Sequence, residues 1–130
     1  NPEGAALQKA SVGGNTIAKQ IWDGLGKINQ VTGRAGENLG SFGAVIGATL
    51  NLPGFGLADV QAGQAGAATP ILAPGFGAQG AELGDISRLF GGGAKQVIAS
   101  VSRSVLRAGA AGMPKAIEAA NAELAAGLEA

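Results

Sequence analysis

Apolar residues recur at helical spacing over the first thirty positions of the chain. They are Leu7, Ile17, Ile21, Leu25 and Ile28, with a Val-Gly-Gly-Asn break at 12–15. This three-to-four-residue period predicts two amphipathic helical segments separated by the break. Because a hydroxyl or amide side chain can accept a hydrogen bond from the first turn, Asn15 or Thr16 is expected to cap the second segment.

Three short apolar runs then predict buried strands, because each is rich in β-branched residues and bounded by turn residues. These runs are 42–49, 70–77 and 96–101. The stretches between and after them have helical character. The predicted helices are a weak one at 57–66, an amphipathic one at 81–90, a short one at 104–107 and an Ala-rich one at 114–128, with Pro114 in its first turn.

Strands alternating with helices predict an α/β fold, with parallel strands joined by right-handed crossovers. Two architectures fit: half of a closed barrel, or a small open doubly wound sheet. Three strands are few for 130 residues. One more strand ahead of Asn1 would give about four β/α units, and residues 1–130 would then form the C-terminal half of a TIM (β/α)8 barrel.

Composition narrows the classes of function. Hydrophobic residues make up 46% of the chain and charged residues 14%, which argues against a disordered polymer and suits a buried parallel sheet. The net charge is zero without a basic cluster, so nucleic acid is not an expected partner. With no Cys or His, disulfides, a thiol nucleophile and the usual zinc sites are excluded. Neither a membrane span nor a signal peptide is visible, so the expected location is cytoplasmic.

Candidate chemistry lies just after the predicted strands, where α/β proteins bind ligands. The segment Gly75-Phe76-Gly77-Ala78-Gln79-Gly80 has the composition of a phosphate loop, because small residues let backbone N–H groups approach an anion. Gln79 adds a side-chain amide donor. A tight turn that binds nothing explains the same glycines equally well.

Arg103 follows the third strand directly, and a guanidinium suits forked recognition of a phosphate. Taken alone, Arg103 is explained slightly better as a solvated residue in the first turn of the next helix. Arg103 and Gln79 together favour a phosphate site over a solvated residue, because the loops after the last two strands of such a barrel are the usual phosphate site. The two residues therefore predict a phosphorylated ligand.

Four segments in order resemble one family of enzymes. They are 1–5 (NPEGA), 43–49 (GAVIGAT), 74–80 (PGFGAQG) and 100–103 (SVSR). In this combination the chain resembles the C-terminal half of orotidine 5′-phosphate decarboxylase, in the subgroup of mycobacteria and other actinobacteria. The resemblance spans nearly the whole chain and implies conversion of orotidine 5′-monophosphate to uridine 5′-monophosphate and CO2, in pyrimidine biosynthesis and without a cofactor.

The resemblance also implies roles for particular residues. Gln79 and Arg103 hold the 5′-phosphate by their side chains and Ser102 by its backbone N–H, although many members have Gly where Ser102 stands. The remaining residues implied are Pro74, Phe76 and Asn1 in the substrate pocket, and Gly75, Gly77, Ala78 and Gly80 in the phosphate loop.

Catalytic residues are not expected in this segment. The family's Lys and Asp residues form an Asp-x-Lys-x-x-Asp motif, and none of the five lysines here has that setting. We therefore expect the segment alone to be inactive and to need the N-terminal half of the barrel. The resemblance also implies a homodimer. Two alternatives remain: a non-catalytic nucleotide-binding half-barrel, and an Ala/Gly-rich structural protein whose turns bind nothing.

Overall fold

The computed structural model of the chain describes residues 2–33, 38–62 and 67–130. Five strands and five α-helices lie in this part of the chain, with short 3-10 helices between them. The strands are β1 (Ser11–Val12), β2 (Asn15–Thr16), β3 (Ala44–Val45), β4 (Ile71–Pro74) and β5 (Val97–Ser100). The α-helices are α1 (Ala5–Lys9), α2 (Ile17–Thr32), α3 (Ile86–Phe90), α4 (Arg103–Leu106) and α5 (Gly109–Glu129).

The three strands predicted from the apolar runs form one parallel sheet in chain order, β3-β4-β5. The ladder between β3 and β4 continues past Val45, because Ile46 N–H donates to Leu72 O at 3.0 Å and Ala48 N–H donates to Pro74 O at 2.8 Å. The predicted α/β class and parallel pairing are confirmed, with strands shorter than the apolar runs. The described residues do not themselves close a barrel.

The two faces of this sheet differ sharply in burial. On one face Ile71 and Ala73 are fully buried in a core that includes Ile86 and Phe90 of α3. On the other face Val45, Leu72 and Ile98 are paired in register as one apolar row, and they are 70%, 43% and 56% exposed. A row of large apolar side chains open to water is the surface that a further layer of protein normally covers.

Helix α2 begins at Ile17 and is capped by Thr16, which confirms one of the two predicted caps. Thr16 Oγ1 accepts the N–H of Lys19 at 3.0 Å and donates to the carbonyl of Phe55 at 2.7 Å. The predicted glycine break before Thr16 forms the tight turn of the β1–β2 hairpin. Gln20 of α2 holds this hairpin, because its Nε2 donates to the carbonyl of Val12. One hydroxyl therefore starts the helix and also ties it to the segment after β3.

Replacing Thr16 with Ala should destabilise the chain by about 1–2 kcal/mol, because the cap and the bond to Phe55 are both lost. Thr16→Ser keeps the hydroxyl and should recover most of this free energy of unfolding. The matched control is Thr32→Ala at the exposed other end of α2, where the hydroxyl only donates back to Ile28 O. Urea unfolding of the three variants checks the order. A Thr16→Ala chain as stable as Thr32→Ala would contradict the capping role.

Asn29 holds the connection between α2 and β3 from inside the fold. It is fully buried, and its Nδ2 donates to Phe42 O at 2.8 Å and to Thr69 Oγ1 at 3.2 Å. Its Oδ1 accepts the N–H of Phe42 at 3.0 Å. A β-carbon built at Gly40 would lie 2.2 Å from the Asn29 side chain, so the chain passes here at a distance that only glycine allows.

Three predicted helices differ in detail. The predicted helix at 57–66 is a 3-10 helix over Ala58–Ala62, and residues 63–66 of that prediction lie outside the described residues. The one at 81–90 begins as a 3-10 turn, Leu83–Asp85, before α3. The last helix begins at Gly109, so placing Pro114 in its first turn was wrong. The exposed carbonyl of Ala110 loses its partner there, and solvent can replace that bond.

Candidate functional site

The carboxyl ends of β4 and β5 lie side by side, because Pro74 and Ser100 are paired in register. The loop after β4 (residues 75–81) and the turn after β5 (residues 101–103) therefore leave the sheet at the same edge. This is the edge at which parallel sheets bind ligands. The structure brings the two predicted phosphate-binding segments to neighbouring positions.

The loop after β4, which we call the phosphate loop (residues 75–81), is held by its own backbone. Gly77 N–H donates to Ala81 O at 2.8 Å, and Ala81 N–H donates to Gly75 O at 3.1 Å. Gly75 and Gly80 have φ of 114° and 109°, values that residues with a β-carbon rarely adopt. The glycines of this motif are therefore required by the shape of the loop whether or not it binds an anion.

Both ends of the phosphate loop are buried and its tip is exposed. Phe76 and Ala81 are 3% and 8% exposed and belong to the core, whereas Ala78, Gln79 and Gly80 face solvent. Within the described part of the chain, the backbone N–H groups of Ala78 and Gln79 have no acceptor. The tip thus presents two free backbone donors and an amide side chain from a fixed base.

Arg103 is the first residue of α4 and is exposed, as is Ser102 before it. The segment packs against the phosphate loop, since a β-carbon built at Gly77 would lie 2.8 Å from Ser104 Oγ. No acidic side chain among the described residues forms an ion pair with Arg103. Gln79 and Arg103 lie on contacting segments, and the guanidinium is available for an anionic ligand.

The other predicted pocket residues differ in how far they are buried. Pro74 is half-buried at the end of β4, Phe76 is buried in the core, and Asn1 lies outside the described residues. A cavity of about 400 Å³ lies beyond the end of β3, lined by Gln8, Gly47, Thr49 and other residues. The sequence carries no signal for Gln8, which reaches the cavity from α1.

An acidic residue, Asp85, follows the phosphate loop along the chain. Asp85 forms an ion pair with Arg88, and the hydrogen bond from that guanidinium lowers the pKa of the Asp85 carboxyl from its ordinary 3.8. The same hydrogen bond raises the pKa of Arg88. Arg88 is therefore already paired, whereas Arg103 is not.

Neither a metal site nor a membrane-spanning helix is found in the part of the chain that is described. No group of three or more acidic, His or Cys side chains there could hold a metal ion. Of the helices described, none is both long and apolar enough to cross a membrane.

Comparison with known proteins gives several relatives with the same name. The chain is 42% identical over 110 residues to orotidine 5′-phosphate decarboxylase of Salinispora arenicola, a match covering 84% of this chain and 36% of that protein. It is 41% identical over 115 residues to the Streptomyces coelicolor protein of that name, and 41% identical over 110 residues to the one from Myxococcus xanthus. Each of those matches also covers 84% of this chain and 36% of the relative.

The chain thus spans about a third of the length of the curated relatives it matches. No protein-family model matches it, and no solved structure does.

Proposed function

We propose that this chain supplies the phosphate-binding part of an orotidine 5′-phosphate decarboxylase. Over 84% of its length the chain is homologous to a segment of such enzymes. The whole enzyme would convert orotidine 5′-monophosphate to uridine 5′-monophosphate and CO2 in pyrimidine biosynthesis. The observation that carries the proposal is the contact between the phosphate loop and the segment that begins α4, which puts Gln79 and Arg103 on adjoining structures at one sheet edge.

In this proposal the 5′-phosphate lies between the tip of the phosphate loop and Arg103. The free N–H groups of Ala78 and Gln79 and the Gln79 amide supply neutral donors, while Arg103 supplies a charged fork. Ser102 adds its backbone N–H from the position before α4. Since the phosphate does not react, its binding energy serves to orient the rest of the substrate and to exclude water from the reacting carboxylate.

The exposed apolar row Val45, Leu72 and Ile98 supports a role for this chain as part of a larger barrel. About two thirds of the relatives' length lies outside the match, which is enough to supply further strands and helices. We infer that this remainder, which includes the N-terminal half of the barrel, covers the exposed face. Burying the row would contribute about 25 cal/mol for each Å² of apolar surface removed from water.

A cleft between α2 and β3 supports the same inference. It has a volume of about 160 Å³ and is lined mainly by apolar residues, among them Ile21, Trp22 and Val45. In the described part of the chain the Trp22 side chain is buried and its indole N–H has no acceptor. A further strand paired with the open edge of β3 would cover this cleft.

The catalytic Lys and Asp residues belong, in this proposal, to the part of the enzyme that lies outside the match. We expect a cytoplasmic homodimer that needs no cofactor, with orotidine or uridine 5′-monophosphate as its ligand.

The test uses a completed enzyme, defined as this chain joined behind the part of the Salinispora arenicola relative that precedes the matched region. We expect the completed enzyme to decarboxylate orotidine 5′-monophosphate, and the 130-residue chain to show no turnover. A folded completed enzyme without activity would refute the assignment. Uridine 5′-monophosphate binding by the chain, together with an inactive completed enzyme, would instead favour a non-catalytic nucleotide-binding module.

A further inference from the structure

The segment that follows the phosphate loop is attached to α5 at two adjacent turns of that helix. Glu123 Oε1 accepts the backbone N–H of Gly84 at 3.2 Å. One turn later, Gly127 lies so close that a β-carbon built on it would be 2.6 Å from Gly84 O and 2.7 Å from Leu83 O. Ser87 Oγ also donates to the carbonyl of Gly127. Glu123 therefore fixes where this segment lies along α5, and Gly127 allows it to approach the helix closely.

The tip of the phosphate loop, in contrast, has open space beneath it. A groove of about 600 Å³ lies beneath Gly80 and is bordered by α4 and α5, with Gly77, Ser104 and Glu123 also among the residues that line it. The loop's own hydrogen bonds make residues 75–81 one closed unit. A displacement of Leu83 and Gly84 would therefore reach the tip through Ala81, which lies two residues before Leu83 and accepts the N–H of Gly77.

We propose that Glu123 and Gly127 are positioning residues for phosphate binding, acting through Gly84 and Leu83 on the tip of the phosphate loop. This rests on the proposed function, because it takes phosphate as the ligand of Gln79 and Arg103. Neither residue touches the ligand. Each sets where the free N–H groups of Ala78 and Gln79 lie relative to Arg103.

The experiment is an amide NMR titration of the 130-residue chain with inorganic phosphate, with thermal unfolding measured alongside. Glu123→Ala should shift the amide signals of Gln79 and Gly80 in the free chain, and should raise the Kd for phosphate about three- to ten-fold through the loss of one hydrogen bond. Glu123→Gln keeps an oxygen acceptor for Gly84 N–H and should restore both the signals and the Kd. A purely structural role would lower the melting temperature without moving the loop signals.

Two controls match the variants. Glu118→Ala removes an exposed carboxylate from the same helix without a described partner, so the loop signals should stay in place. Gly24→Ala is the control for Gly127→Ala, because a β-carbon at Gly24 meets nothing within 4 Å. We expect Gly127→Ala to displace the loop signals and Gly24→Ala to leave them alone. If Gly127→Ala does not fold, Glu123→Ala and its Gln rescue still decide the matter.

The outcomes separate this inference from the proposed function. Unchanged Gln79 and Gly80 signals in Glu123→Ala would overturn the positioning role, whether or not phosphate binds. Shifted signals with a Kd equal to that of the unsubstituted chain would overturn it as well. If the chain binds no phosphate but its loop signals still respond to Glu123→Ala, phosphate is not the ligand. The effect of α5 on the position of the loop would then still hold.

Discussion

Replacing Arg103 with Ala in the completed enzyme should lower kcat/KM for orotidine 5′-monophosphate by about 30-fold to about 5,000-fold, or roughly 2–5 kcal/mol. The loss is large because Arg103 has no ion-pair partner among the described residues and would hold the dianion in a site from which water is excluded. Arg103→Lys keeps the charge but not the planar fork, so it should recover only part of the loss.

Arg107 provides the matched control for this experiment. It is also exposed, and it lies one helical turn further along, directly after α4. Arg107→Ala changes the net charge equally, so a general electrostatic effect would lower kcat/KM to the same extent. We expect Arg107→Ala to remain within about three-fold of the parent enzyme, as surface changes away from a site usually do. Equal losses in the two variants would remove Arg103 from the site.

Replacing Asn29 with Ala should lower the free energy of unfolding by about 2–4 kcal/mol, which is the largest effect we expect on stability. The side chain is fully buried, and its removal leaves the N–H and C=O of Phe42 without their partner. A cavity forms as well. Denaturant unfolding of the 130-residue chain measures the change.

Asn29→Asp sharpens this prediction. The carboxylate can still accept Phe42 N–H, but it has no donor for Phe42 O and it buries a charge. Its instability should therefore exceed that of Asn29→Ala at neutral pH and diminish under mild acid, where the carboxyl protonates and regains a donor. Asn121→Ala, at an exposed position of α5, should change stability by less than about 0.5 kcal/mol. An Asn29→Ala chain as stable as Asn121→Ala would contradict the role of Asn29.

The sheet could be predicted from the sequence because its strands are buried on at least one face and read as short apolar runs. The start of α2 was also predictable, since Thr16 follows a glycine break and precedes a periodic segment. Asn29 was not, because it looks like any polar residue of an amphipathic helix, and its burial depends on Phe42 and Thr69 arriving from distant parts of the chain. Local pattern carries no information about such partners.

The candidate site was predictable to a similar degree. The glycines around Gln79 and the position of Arg103 after a strand could be read directly, and the parallel sheet places the two segments together. Glu123 and Gly127 gave no signal, because an Ala-rich helix shows the same composition on every face. Their contact with Leu83 and Gly84 becomes visible only when α5 is packed against the sheet.

A crystal structure of the completed enzyme with uridine 5′-monophosphate bound tests most directly whether Gln79 and Arg103 hold the 5′-phosphate. We expect the 5′-phosphate to lie within about 3 Å of the Gln79 amide, the Arg103 guanidinium and the Ser102 backbone N–H. A phosphate bound elsewhere, with Gln79 and Arg103 both in solvent, would contradict it.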